Sequence, residues 1–177
     1  MAAILAFAGS NSSTSINYKL ISYTANQLSD QNTTVLNMAL FPFPMYSADY
    51  EKENGFSNSL VELCNDIKKS DGLVISVNEH NGNPSAYFKN LIDWLSRVDR
   101  NFLAKPKILL MATSGGKRGA QSSMEVTEKL LGRFGGEVVA TFSLPSFYEQ
   151  FDAEAGIKDS ALRKNYEAAI NTFVSKL

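Results

Sequence analysis

The chain has one cysteine, one histidine and one tryptophan in 177 residues, and these scarcities close off classes of function. Cys64, standing alone, rules out an internal disulfide framework. Together with the lone His80 it supplies too few soft ligands for a zinc site. Charge of either sign is also in short supply: 17 Lys and Arg stand against 18 Asp and Glu, a formal net charge of −1. That balance argues against a nucleic-acid binder working through a basic surface, and against a small electron carrier that docks through a strongly acidic face. No apolar run approaches the length of a membrane span, and the apolar start of the chain is strand-like, with no basic segment before it. The expected partners therefore include neither nucleic acid nor membrane, and the expected location is cytoplasmic.

What is present predicts one folded domain over residues 1–177, long enough to bury a substantial core. A composition of 44% hydrophobic and 20% charged residues is that of a globular chain. Short apolar runs alternate with helical patterns. Strands are expected near 3–8, 33–37, 72–77, 107–113 and 137–142, and helices near 15–29, 57–69, 85–98, 119–132 and 158–175. Leu73-Val74-Ile75 and Ile108-Leu109-Leu110-Met111 are apolar without alternation, which predicts burial on both faces of a sheet. Five strands, each followed by a helix, predict an α/β fold with a parallel sheet wound on both sides. The segment 40–56 fits neither period. Its prolines and aromatics (Phe41, Phe43, Tyr46) predict a long loop that walls a pocket or packs a partner subunit.

In such a sheet, ligands bind beyond the carboxyl ends of the strands, where strand order reverses. Three loops rich in Gly, Asn and Ser converge there: 9–17, 78–84 and 113–120. The first, Gly9-Ser10-Asn11-Ser12-Ser13-Thr14-Ser15-Ile16-Asn17, joins a strand to a helix start, whose unpaired N–H groups and partial positive charge suit an anion. It contains neither G-x-G-x-x-G nor G-K-[ST], so dinucleotide and triphosphate loops are both absent. Ser10-x-Ser12-x-x-Ser15 instead predicts a cradle for a single terminal phosphate, with Asn17 one turn into the helix. A helix cap alone would account for one hydroxyl, not for five in six positions.

The second loop is Asn78-Glu79-His80-Asn81-Gly82-Asn83-Pro84, followed by Lys89-Asn90-Leu91-Ile92-Asp93-Trp94. Gly82 and the asparagines let backbone N–H and C=O groups face a heteroaromatic ring, and suit equally a plain turn before a helix. His80 could donate a proton or stack on a ring, or be an exposed turn residue. Phe88 and Trp94 read as core or subunit interface. In the third loop, Thr113-Ser114-Gly115-Gly116-Lys117-Arg118-Gly119, the glycines allow a flat ring to approach. Lys117 and Arg118 either meet a second phosphate or are simply solvated.

Taken in order, these loops resemble the NADPH-dependent FMN reductase family, a flavodoxin-like group that includes quinone, azo-dye and chromate reductases. The resemblance runs from residue 3 to about 145. The family's first motif, roughly G-S-x-R-x-x-S-x-N, stands here as residues 9–17; its P-E-Y-N-x-S and K-N-A-I-D-W stand as 78–83 and 89–94; its Ser-Gly-Gly turn with a basic residue stands as 114–119. The resemblance implies a five-stranded parallel sheet in the order 2-1-3-4-5 and non-covalent FMN. It implies that Ser10, Ser12, Ser15 and Asn17, with Ile16, hold the phosphate. Glu79, His80, Asn81 and Gly82 would face the isoalloxazine, mostly through backbone, and Ser114, Gly115, Gly116 and Lys117 would border its other edge.

The implied activity is ping-pong hydride transfer from NADPH or NADH to FMN, then to a small-molecule acceptor: a quinone, azo compound, metal oxyanion or free flavin. A homodimer or homotetramer is implied as well. Three positions depart from the pattern: Ser12 replaces an arginine, Asn78 a proline and His80 a tyrosine. Without the arginine the phosphate loses a charge-assisted bond and depends on hydroxyls and amides, as in flavodoxins. A flavodoxin-type electron carrier and a flavin-free scaffold or sensor are the alternative readings.

Overall fold

Strands that are apolar on both faces need cover on both, and that requirement organises the molecule. In the computed structural model, which describes residues 1–177, five strands pair in parallel: β1 (Ala3–Ala8), β2 (Asn32–Leu36), β3 (Gly72–Val77), β4 (Lys107–Thr113) and β5 (Glu137–Leu144). Their order is β2-β1-β3-β4-β5, the flavodoxin-like doubly wound arrangement that was expected. Central β3 is buried at every residue, whereas the edge strands β2 and β5 are partly exposed. Strand alternation sends Leu5, Phe7, Leu73, Ile75 and Leu110 into one core and Ile4, Ala6, Val74, Leu109 and Met111 into the other. The first core is covered by α3 (Asn58–Lys69), α4 (Ala86–Val98) and α5 (Gln121–Gly132). The second is covered by α1 (Ile16–Gln27) and α7 (Ser160–Val174).

Four of these helices start a residue or two later than predicted, for one physical reason. Ser15, Ser57, Ser85 and Asp159 are N-caps with non-helical backbone, each accepting from an amide in the first turn. Helix α5 starts late because Gly119 (φ 59°) and Ala120 (φ 62°) are left-handed. A Cβ on Gly119 would sit 2.3 Å from Ser143 Oγ, so both the conformation and the close approach demand glycine there.

The expectation of a single loop over 40–56 needs correction. Met38–Leu40 is a 3-10 turn, and α2 (Ala48–Asn54) follows an extended stretch. Helix α2 is capped by Ser47 and stopped by Gly55 (φ 66°), and it buries none of its residues, so no apolar period marks it in the sequence. The aromatics Phe41, Phe43 and Tyr46 are half-buried against the first core instead of projecting outward. What holds them is the second motif. Asn90 Nδ2 and Trp94 Nε1 donate to the Pro44 carbonyl at 2.9 and 2.8 Å, and Asn90 Oδ1 accepts from Tyr46 N at 2.7 Å. The Tyr87 hydroxyl, whose pKa burial pushes up, donates to the Phe41 carbonyl at 2.9 Å. Beyond β5 lie two elements too short to show a period: α6 (Phe147–Gln150) and the hairpin of β6 (Phe151–Asp152) and β7 (Gly156–Ile157). No helix is long and apolar enough to cross a membrane.

One buried side chain ties the ligand edge of the sheet together. Asn17 Oδ1 accepts from Ser76 Oγ at 2.7 Å and from Thr113 N at 3.1 Å, while its Nδ2 donates to the Thr113 carbonyl at 3.1 Å. Thr113 Oγ1 continues the line to the Leu144 carbonyl at 2.8 Å. Thus one carboxamide joins α1 to β3 and β4, and the Thr113 hydroxyl carries the line to β5. Replacing Asn17 with alanine orphans three buried groups. Asn17→Ala is therefore expected to lower unfolding free energy by about 3 kcal/mol, read from urea denaturation; a loss under about 1 kcal/mol would contradict this role.

Candidate functional site

The three loops do meet. Ser85 Oγ, besides capping α4, donates to the Gly9 carbonyl at 2.7 Å, and Gly9 N donates to the Ser76 carbonyl at 2.8 Å. Gly9 is required here by close approach: a Cβ would lie 2.6 Å from Cδ2 of Phe88. Asn17 fastens the first loop to the third at Thr113, and Ser123 fastens the second to α5.

In the first loop, Ser10 and Ser15 are nearly buried while Asn11 through Thr14 are exposed. Each predicted serine accepts from a nearby amide. Ser10 Oγ takes Ser12 N at 3.3 Å, Ser12 Oγ takes Thr14 N at 3.3 Å, and Ser15 Oγ takes Tyr18 N at 3.2 Å. Ser10 and Ser15 thereby keep their hydroxyl hydrogens free to donate. The N–H groups of Asn11, Ser13, Ile16 and Asn17 have no partner in the chain. The first turn of α1 carries no acidic residue, so the positive end of its dipole is not neutralised locally. The Asn17 side chain departs from expectation: it is committed inward, leaving its backbone amide as the group available at the helix start.

The second loop is a tight hairpin turn. His80 N donates to the Asn83 carbonyl at 2.8 Å and Asn83 N to the His80 carbonyl at 3.1 Å, with Asn81 (φ 54°) and Gly82 (φ 77°) both left-handed. This is the type I′ pattern that Asn-Gly favours. The Glu79 side chain is turned away from its neighbours in the turn, toward α5, where Oε2 accepts from Ser123 N at 3.1 Å. It thereby supplies the cap that Ala120 cannot. His80 is exposed and its Nε2 lies 3.0 Å from Asn78 Nδ2.

In the third loop, the Gly116 and Ser114 carbonyls accept from Ser146 N and Phe147 N at 2.9 and 3.0 Å, binding the turn to the segment after β5. Gly115, Gly116, Lys117 and Arg118 are exposed; Arg118 Nη2 donates to Ser122 Oγ at 2.9 Å, and Lys117 has no acidic partner. Tyr148, which the sequence reading overlooked, borders this loop. It is 75% exposed, and its ring stands 3.2 Å from where a Cβ on Gly115 would be. Only the left-handed Ser146 (φ 46°) turns the chain to place it there, a feature no local pattern announces. A separate recess of about 110 Å³ lies between Phe43, Pro44, Tyr50, Leu60 and Trp94, and no residue of the three loops lines it.

The arrangement is one of neutral donors around an unpartnered helix start, beside a rigid turn and a glycine-rich edge. The sequence model of the NADPH-dependent FMN reductases matches residues 2–149. A quinone reductase of Escherichia coli (strain K12) is 38% identical over 76 residues, which is 43% of this chain and 40% of that protein. The chain thus spans about two fifths of the length of this relative. A Mycoplasma pneumoniae protein described as an MG342 homolog is 27% identical over 154 residues, covering 84% of this chain and 90% of the other. Among solved structures, the apo form of an NADH:FMN oxidoreductase (EMOB) superposes with a TM-score of 0.79 at 22% identity, covering 100% of this chain and 90% of that one.

The cap supplied by Glu79 can be tested by itself. Glu79→Ala is expected to cost about 1 kcal/mol, seen as a lower urea midpoint at pH 7, with amide exchange fastest in the first turn of α5. Unchanged protection at Ser122 and Ser123 would refute the cap.

Proposed function

The chain belongs to the NADPH-dependent FMN reductase family, and from that premise we propose that it binds FMN across the three loops and carries electrons from NADPH or NADH to a small-molecule acceptor. The observation that carries this reading is the set of unpartnered amides at 11, 13, 16 and 17 beside the free hydroxyl hydrogens of Ser10 and Ser15. A dianionic phosphate favours several donors with no carboxylate beside them, and the first turn of α1 carries unpartnered amides and no acidic residue. Ser10, Ser12 and Ser15, with the amides of Ile16 and Asn17, would hold the phosphate. Backbone of Asn81 and Gly82, with His80, would border the ring system on one side, and Ser114, Gly115, Gly116 and Lys117 on the other.

When bound, FMN supplies the hydride chemistry, so the protein needs no acid–base pair of its own. On this reading the flat ring would lie between the turn at His80–Asn83 and the glycines at 115 and 116, with Tyr148 beside Gly115. A quinone, azo compound, metal oxyanion or free flavin is the proposed class of acceptor. A homodimer or homotetramer is part of this reading, and we assign its contact to Leu40 and Met45, apolar side chains that are 74% and 71% exposed. Leu40→Glu with Met45→Glu should then yield monomers in sedimentation; an unchanged mass would reject that contact.

Titrating purified protein with FMN, then with NADPH or NADH under argon, tests the central reading. A perturbed flavin spectrum followed by bleaching supports it. Binding without bleaching would favour an electron carrier, and no binding would favour a flavin-free scaffold. Ser12→Arg should lower the FMN dissociation constant about tenfold by adding a charge-assisted bond. An equal or higher constant would remove Ser12 from the phosphate.

A further inference from the structure

The only histidine of the chain is displayed with unusual rigidity for an exposed side chain. Its backbone is closed into a turn by two hydrogen bonds with Asn83. The chain just before it is fixed on α5, where Ser123 Oγ donates to the Asn78 carbonyl at 2.7 Å and Ser123 N to Glu79 Oε2 at 3.1 Å. The ring itself meets Asn78: Nδ2 of the carboxamide lies 3.0 Å from Nε2. An amide nitrogen can only donate, so Nε2 must accept and carries no hydrogen in this arrangement. The neutral ring then holds its proton on Nδ1, which makes no hydrogen bond within the chain.

We propose that Asn78 locks His80 in the Nδ1–H form, and that this N–H is the hydrogen-bond donor to the acceptor's carbonyl oxygen or azo nitrogen as that atom gains negative charge. The inference rests on the reductase reading above and deepens it by naming the group that recognises the acceptor. A neutral donor held in advance stabilises developing charge without having to reorganise. Tautomer control by the partner of the opposite ring nitrogen is how an imidazole is assigned such a role. No proton leaves the ring in this scheme; the hydrogen bond is the whole contribution. It also defines the acceptor class as one that presents an oxygen or nitrogen atom beside the second loop.

Because His80 is the single histidine, a long-range proton–nitrogen spectrum of the FMN-loaded protein contains one imidazole. The expected neutral-form spectrum shows Nδ1 protonated and Nε2 bare, and Asn78→Ala shifts it toward the Nε2–H tautomer. With menadione as acceptor and FMN at saturation, His80→Phe should lower kcat about tenfold, with KM for NADPH within twofold. His80→Gln should recover part of the loss through its amide donor.

Asn78 Oδ1 is buried without a partner, so the carboxamide turned over is the competing arrangement; it would put Oδ1 on the ring and require Nε2–H. A wild-type spectrum of that kind, or a His80→Phe enzyme with unchanged kcat, overturns the proposal. Wild-type protein that neither binds FMN nor oxidises NADPH would refute the reductase reading itself, and the donor role with it.

Discussion

The carboxamide of Asn17 is the constraint on which the rest of the carboxyl edge of the sheet depends. It sits in the first turn of α1, yet bonds to β3 through Ser76 and to both backbone groups of Thr113 at the end of β4. A parallel sheet leaves its strand ends free to splay, because each crossover helix is tied to the sheet mainly by non-directional apolar packing. A buried amide making three hydrogen bonds adds direction: it fixes the start of α1 against two strand ends. The same contact decides where the first and third loops lie relative to each other. Ser85, bonded to the Gly9 carbonyl while capping α4, does the equivalent for the second loop.

Helices α1 and α5 both start at this edge and are treated in opposite ways. Helix α5 receives a carboxylate from Glu79, which occupies its amides and offsets its dipole. Helix α1 receives none, and its first-turn amides stay available. An anion approaching this edge therefore finds the start of α1 attractive and that of α5 already offset by a carboxylate. Glu79, next to the turn that displays His80, ties the second loop to the first turn of α5.

Much of this was legible in the sequence, and the gaps have physical causes. The strands and the five main helices follow from apolar runs and spacing, since the central strands β1, β3 and β4 are buried on both faces, whereas the sheet order came with the family resemblance. The serines of the first loop and the Asn-Gly turn were readable because local backbone chemistry decides them. Asn17 was not, because its role is set by partners 59 and 96 residues away in sequence. Asn90 and Trp94 announce themselves as a motif, but their work, holding the Pro44–Tyr46 backbone, appears only once the loop is folded over α4. Helix α2 and Tyr148 were missed for related reasons. One buries nothing, and the other is placed by a single left-handed residue, Ser146.

The absence of an arginine from the first loop gives these constraints their weight. A guanidinium can follow a phosphate over a range of geometries and still contribute a strong bond. Neutral hydroxyls and amides contribute less individually, and the dipole's influence fades within a turn of the helix end. A cradle of that kind works only if its donors are already aimed, since ordering a loose loop on binding would consume the energy the bonds release. Ser10 and Ser12 each accept from an amide of their own loop, Ser15 accepts from Tyr18 N in the first turn of α1, and Asn17 anchors that helix. On the proposed reading, retention of the cofactor is therefore a property of the fold's rigidity at this edge more than of any one residue touching the phosphate.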